Sequence, residues 1–166
     1  MIKGLHHAAY RCRDSEETRK FYEDFLGLPL AAAKWIKETK TARTVDALHT
    51  FFRLDDGSFL AFFEVPGSPF AFKDQHDYDL HIALEVERPV LDRMMAKAKA
   101  EGREVRGVAD HGFIDSIYFR DPNGYVIELT AKRPGMEDAT DPARSGAKSV
   151  LADWNRAFHK EGAKVA

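Results

Sequence analysis

Four side chains that commonly bind divalent metals recur at matching places in the two halves of the chain. His7 and His81 each lie in a short apolar segment that is predicted to be the first strand of its half, and Glu64 and Glu128 each lie in the last. A carboxylate within a run as apolar as residues 61–65 is costly unless a cation compensates its charge. Two imidazoles and two carboxylates suit Fe, Mn, Ni, Co or Zn. The pattern predicts one metal site shared by both halves.

Strand alternation decides which neighbouring side chains can join that site. Adjacent residues of a strand face opposite ways, so only one of His6 and His7 can point inward. Alignment of the two halves on the aromatic and Leu-Gly positions of the first helix selects His7. Arg11 shares the parity of His7 and is a candidate to pair with an anionic group of a substrate. His49, in a later strand, is a second candidate for substrate binding.

The elements that must position these residues follow one order twice. Apolar alternation, a helix capped by Asp14 and ended by Gly27, and a hairpin turn at residues 55–57 predict a βαβββ module over residues 1–66. The same order returns over residues 67–134, at a period of about seventy residues. Residues 135–166 are predicted to form a polar linker and an amphipathic helix that docks on this subunit or on a partner. The fold class is α+β, as one compact domain overall.

Composition excludes several function classes. The 166 residues carry a net charge of −2 without a cationic run, which argues against a nucleic-acid partner. No apolar stretch approaches the roughly 20 residues of a membrane span, and the first residues lack the apolar core of a signal peptide. The single Cys12 cannot form an internal disulfide. We expect a cytoplasmic protein with a small-molecule substrate and no membrane partner.

The motifs together resemble the vicinal-oxygen-chelate superfamily, which includes glyoxalase I, extradiol dioxygenases and bleomycin-binding proteins. The resemblance runs from Leu5 to Ala131 through HHAAYRCRD, FYEDFLGLPL, GSFLAFFEV, LHIALEV and SIYFRDPNGYVIEL. It implies paired modules that form a partly closed eight-stranded barrel around the metal, often within a homodimer. In glyoxalase I-like members, the positions that match His7, Glu64, His81 and Glu128 are all ligands.

The number of ligands separates the possible reactions. Four protein ligands on an octahedral ion leave two positions for a substrate that chelates through two oxygens, as a lyase, isomerase or epimerase requires; a carboxylate such as Glu64 then moves a proton. A dioxygenase needs three open positions and uses two histidines and one carboxylate. Here that set would be His7, His81 and Glu128, with Glu64 off the metal.

One segment favours oxygen chemistry. Asp110-His111-Gly112 resembles a segment of catechol 2,3-dioxygenase-like proteins, in which the matching histidine assists O₂ and proton handling from outside the ligand set. The alternative for His111 is a surface loop histidine. The first hypothesis is therefore an Fe(II)- or Mn(II)-dependent extradiol ring-cleaving dioxygenase acting on a catechol-like compound. A glyoxalase I-like lyase or isomerase with Ni, Co or Zn is the alternative, and a metal-free binding protein of the bleomycin-resistance kind is the third.

Overall fold

A computed structural model describes residues 1–38 and 44–158 of the chain. The first module contains β1 (His7–Arg11), α1 (Ser15–Arg19), a π-helical continuation (Lys20–Phe25), β2 (Leu30–Glu38), β3 (Thr44–Arg53) and β4 (Phe59–Glu64). The second contains β5 (His81–Glu85), α2 (Arg88–Ala100), β6 (Arg106–Asp110), β7 (Ile114–Arg120) and β8 (Val126–Lys132). Part of the polar stretch at 37–46, expected to be a loop or strand margin, falls outside the described residues.

The two modules have the same sheet topology. The first sheet has the strand order β1-β4-β3-β2 and the second β5-β8-β7-β6, and in each the first strand pairs in parallel with the last. This repetition confirms the α+β class and the paired βαβββ modules. The eight strands do not join into a barrel within the chain, because the described backbone pairing leaves two separate sheets of four strands.

Local signals in the sequence explain where the helices begin and end. Asp14 caps α1 by accepting a hydrogen bond from the backbone N–H of Glu17 at 2.7 Å, and Gly27 follows the helical segment with φ of 88°. α2 has a proline in its first turn and turns Leu91, Met94 and Ala98 inward, where each is buried.

One apolar core lies between the helix-facing sides of both sheets. Its fully buried members include Tyr22 and Phe62 of the first module and Leu91, Ile117 and Ile127 of the second. Because both modules bury this side, they pack back to back. The other face of each sheet is left open, and His7 and His81 lie on those open faces.

A buried polar cluster joins the modules at the turn between β7 and β8. The Tyr22 hydroxyl donates to Asp121 Oδ2 at 3.0 Å, and Asn123 Nδ2 donates to Thr18 Oγ1 at 3.2 Å. The backbone N–H of Arg13 donates to Asn123 Oδ1 at 2.9 Å. Burial raises the pKa of Asp121 and, together with the Asp121 carboxylate, that of Tyr22. The turn therefore fixes the second module on the first helix as well as closing a hairpin.

The tail forms α3 (Met136–Thr140) and α4 (Ala147–Phe158). The expected amphipathic helix is present, with Val150, Leu151, Trp154 and Phe158 on one side, yet every residue of α4 is exposed. It therefore docks on nothing within the described residues. Over the same residues, no helix is long and apolar enough to cross a membrane.

Candidate metal centre

His81 and Glu128 meet on the open face of the second sheet. β5 and β8 are parallel neighbours, with His81 beside Val126 and Ala83 beside Glu128. Residues paired across neighbouring strands point to the same face, so both side chains project on one side of the sheet. His81 Nε2 lies 3.3 Å from Glu128 Oε2, and Glu128 is only 4% exposed.

The hydrogen bond on the far side of the His81 ring sets its tautomer. His81 Nδ1 lies 2.7 Å from the backbone carbonyl oxygen of Asp77. A carbonyl oxygen can only accept, so we assign the proton to Nδ1. Nε2 then keeps its lone pair and directs it toward Glu128, which is the arrangement of a metal-binding histidine. Arg106 donates to the Asp77 carboxylate at 2.6 Å and holds the pKa of Asp77 below its usual value.

Tyr118 and His111 continue the contacts away from Glu128. The Tyr118 hydroxyl lies 3.3 Å from Glu128 Oε1 and 2.8 Å from His111 Nε2. Burial and the Glu128 carboxylate raise the pKa of Tyr118, so the phenol keeps its proton at neutral pH. Both contacts are satisfied when His111 Nε2–H donates to the phenol oxygen and the phenol donates to Glu128. The exposed His111 therefore contacts Glu128 through the Tyr118 hydroxyl and is not an isolated loop residue.

Sequence reasoning missed Tyr118, although a signal was available. Tyr118 sits directly opposite Glu128 in the antiparallel β7–β8 pair. The tight turn at residues 121–124 fixes that register, because a hairpin turn pairs the residues that flank it. Counting back from the turn would have placed the phenol beside the carboxylate.

These side chains line a cavity of about 640 Å³. The lining residues are Asp77, Tyr78, His81, Ala109, His111, Phe113, Ile114, Tyr118 and Glu128. Aromatic and aliphatic groups form much of the wall, and neither lysine nor arginine contributes to it in the described part of the chain. The cavity suits a ligand whose main body is uncharged.

His7 lies apart from this pair, on the open face of the first sheet. Its ring is 5.8 Å from that of Phe51 and 6.4 Å from that of His49, and its Nδ1 lies 2.7 Å from His6 Nδ1. Residues 1–38 and 44–158 contain no group of three His, Cys, Asp or Glu side chains close enough to hold one ion. One chain therefore does not bring His7 together with His81 and Glu128.

The two predicted substrate-binding residues share the face of His7. His49 stacks on Phe63 with ring centroids 3.6 Å apart, and burial together with His7 lowers its pKa. Its Nε2 is buried and has no hydrogen-bond partner among the described residues. Arg11 donates from Nη2 to the Ser68 carbonyl oxygen at 3.2 Å and lies four residues, or about 13 Å of strand, from His7. His49 is therefore much the nearer of the two to His7.

Glu64 faces the other side of its sheet. Arg11 pairs with Phe63, so Glu64, one residue further, points toward the helix and not toward His7. Its Oε2 accepts the backbone N–H of Ser15, the first residue of α1, at 2.7 Å. The position that matches Glu128 by register is Ala61, which lies opposite Ala9 as Glu128 lies opposite Ala83. This register argues against the expected ligand and catalytic roles of Glu64.

We expect Glu64→Ala to lower the free energy of unfolding by about 1 kcal/mol, because an N–H at the helix start loses its acceptor. Its affinity for a divalent metal should stay unchanged. Urea unfolding and Mn(II) titration measure the two effects. Asp14→Ala, which removes another cap of the same helix, is the matched control. If Glu64→Ala loses metal affinity and Asp14→Ala does not, Glu64 is a ligand and the site has four protein ligands.

The residues of the second sheet fit a divalent ion. Glu128 is a nearly buried carboxylate, and in the described ranges its ion-pair partner is His81, which carries a charge only when protonated. A metal cation would compensate that carboxylate and take the Nε2 lone pair as a second donor. An imidazole and a carboxylate suit Fe(II), Mn(II) and the other first-row divalent ions.

Comparison with known proteins connects this geometry to a family. The family described as the Glyoxalase/Bleomycin resistance protein/Dioxygenase superfamily matches residues 4–129. Metallothiol transferase FosB of Bacillus licheniformis is 33% identical over 131 residues, which make up 77% of this chain and 75% of that protein. The matched family region ends one residue after Glu128, so the tail helices lie beyond it.

Two solved structures illustrate the shared fold. The fosfomycin resistance protein FosX from Listeria monocytogenes, complexed with Mn(II) and sulfate, has a TM-score of 0.60 and 22% identity, covering 82% of this chain and 98% of its own. A glyoxylase/bleomycin resistance protein/dioxygenase domain from Frankia sp. EAN1pec has a TM-score of 0.64 and 17% identity, covering 80% and 100%. At these identities the likeness concerns the fold.

Proposed function

Because the chain belongs to the glyoxalase/bleomycin resistance protein/dioxygenase superfamily, we propose that it is a divalent-metal-dependent enzyme that works as a homodimer. His81 and Glu128 of one subunit and His7 of the other subunit form the ligand set. Fe(II) or Mn(II) is the proposed ion.

The open sheet faces support the homodimer. Within one chain the modules pack back to back, so the face that carries His7 and the face that carries His81 cannot close on each other. A second copy related by a twofold axis would cover both faces and create two equal sites. Each site would then combine two ligands from a second module with one from a first module.

The proposed reaction is extradiol cleavage of a catechol-like ring, in which both atoms of O₂ enter the product. The bound metal would supply the Lewis acidity and the O₂ chemistry. The contact chain from Glu128 through Tyr118 to His111 carries the proposal, because it places a proton donor and a second proton holder beside two ligands. Tyr118 would donate its proton to a substrate oxygen, and His111 Nε2–H would return one to the phenol. The part of the cavity wall that one chain forms has no lysine or arginine, which suits an uncharged aromatic ring.

We expect Fe(II)-loaded protein to consume O₂ with at least one member of a panel of catechols. Tyr118→Phe should lower kcat by about 100-fold or more with the same iron content, because the phenyl ring keeps the packing and loses the proton. An oxygen electrode and absorbance of the ring-opened product follow the reaction. If Tyr118→Phe turns over as fast as wild type, Tyr118 does not take part in proton transfer. If the Fe(II)-loaded wild type consumes no O₂ with any catechol of the panel, the dioxygenase proposal is wrong.

Thiol transfer to a small epoxide is the second candidate. It is favoured by the 33% identity to a metallothiol transferase. The part of the cavity wall that one chain forms offers neither lysine nor arginine, and a phosphonate such as fosfomycin calls for cationic partners. In the proposed dimer that partner would have to be Arg11, on the face of His7. Mn(II)-loaded protein with fosfomycin and a thiol panel, followed by phosphorus NMR, separates the two candidates.

A lyase with four ligands is disfavoured by the placement of Glu64, which faces away from His7. A metal-free binding role is tested by metal analysis of the purified protein.

A further inference from the structure

Arg106 contacts two residues of the proposed centre without lining its cavity. It lies on β6 directly opposite Tyr118 of β7, and its guanidinium carbon is 5.2 Å from the centroid of the Tyr118 ring. The same side chain reaches the turn before β5, where Nη2 donates to Asp77 Oδ2 at 2.6 Å. One side chain therefore links the phenol to the turn that orients His81.

The turn matters because it carries the carbonyl that His81 contacts. The Asp77 carbonyl oxygen lies 2.7 Å from His81 Nδ1. The turn is held locally, since the backbone N–H groups of Asp79 and Leu80 both donate to the His76 carbonyl oxygen. Such contacts shape the turn but do not attach it to the sheet. Arg120 at the end of β7 holds the chain just before the turn, donating from Nη2 to the Gln75 carbonyl oxygen at 3.4 Å. The ion pair from Asp77 to β6 attaches the turn residue whose carbonyl His81 contacts.

We propose that Arg106 is a positioning residue that holds the Asp77 turn against the sheet and thereby keeps the His81 ring in its metal-binding tautomer. The inference rests on the proposed metal centre. Arg106 touches neither His81 nor Glu128 and acts through Asp77. Its planar guanidinium also lies against the Tyr118 ring. Substitution of Arg106 should therefore disturb both the Asp77 turn and the position of Tyr118.

Metal affinity is the first test. Arg106→Gln should weaken Mn(II) binding by about 10- to 100-fold, the range expected when a partner that orients a ligand is removed. Arg106→Lys, which keeps the charge, should recover part of the loss. Asp77→Asn and Arg106→Gln should not be additive in a double-mutant cycle, because both break one contact.

Arg88→Gln is the matched control. Arg88 is as exposed as Arg106, at 50% and 53% of the side chain, and pairs with Asp115 of the same sheet, away from His81. We expect Arg88→Gln to bind Mn(II) with wild-type affinity, whatever its effect on thermal unfolding. If the Arg88 and Arg106 variants bind Mn(II) equally, the positioning role is wrong.

A second measurement needs neither metal nor activity. Nitrogen-15 NMR of the metal-free protein should show His81 with its proton on Nδ1, and Arg106→Gln should shift the ring toward a mixture of tautomers. A wild-type protein that shows this tautomer but binds no metal would overturn the proposed centre and leave the positioning role standing. An unchanged His81 spectrum in the variant would overturn the positioning role.

Discussion

Glu128→Gln is expected to lower divalent-metal affinity by more than about 100-fold and to abolish turnover at micromolar metal. Substitution of a residue that only orients a ligand already lowers metal affinity by about 10- to 100-fold. Glu128 is proposed as a direct ligand, so the loss should be larger. Glutamine keeps the shape of the side chain and loses the charge that the ion requires. Mn(II) titration followed by electron paramagnetic resonance measures the affinity.

The same variant should behave differently without metal. Glu128 is nearly buried beside His81, and an ionised carboxylate in that setting costs folding free energy. We expect metal-free Glu128→Gln to unfold at the same temperature as wild type or higher. Metal at 100 times the wild-type Kd should stabilise wild type by about 2.7 kcal/mol and the variant by at most about 0.4 kcal/mol. A variant that is equally stabilised by metal would exclude Glu128 as a ligand.

Two inactive variants should restore activity when their subunits are mixed. His7→Ala and Glu128→Gln each damage both sites of their own homodimer. In a mixed dimer, one site carries both defects and the other carries none. Random pairing makes half of the dimers mixed, so unfolding and refolding the two proteins together should give about a quarter of wild-type activity.

The pair His81→Ala and Glu128→Gln is the control for that experiment. Both defects lie in the second module, so each site of a mixed dimer keeps one of them. We expect no recovery from this mixture. Recovery in neither mixture would mean that His7 does not complete the site of another subunit, and recovery in both would point to a different arrangement of the ligands.

Sequence patterns predicted the elements because the information was local. Caps, turns and apolar alternation reside within a few residues, and they gave two βαβββ modules close to the observed strands. His81 and Glu128 were predicted to share a site from their matching places in the two halves, and the structure brings them together because β5 and β8 are neighbours in the sheet. That inference required no knowledge of how the modules pack.

The direction of a side chain and the packing of the modules depend on contacts between segments that are distant in the sequence. The face of Glu64 depends on the pairing register of β4, and a shift of one residue moves a side chain across the sheet. An apolar run such as residues 59–63 hides that register, because both of its faces are partly or fully buried. The separation of His7 from His81 depends on which sides of the two sheets share the core, and alternation within a strand does not encode this.

Ala61, the counterpart of Glu128, makes the two modules unequal. If both modules carried both ligands, each of the two sites of such a dimer would have two imidazoles and two carboxylates. Here the first copy has an alanine at the carboxylate position and carries its nearest carboxylate, Glu64, on the face that supports a helix. In the proposed dimer, the first module would contribute an aromatic wall with the imidazoles of His7 and His49, and the second module would contribute two ligands and the residues that move the proton. Neither module could replace the other in that arrangement.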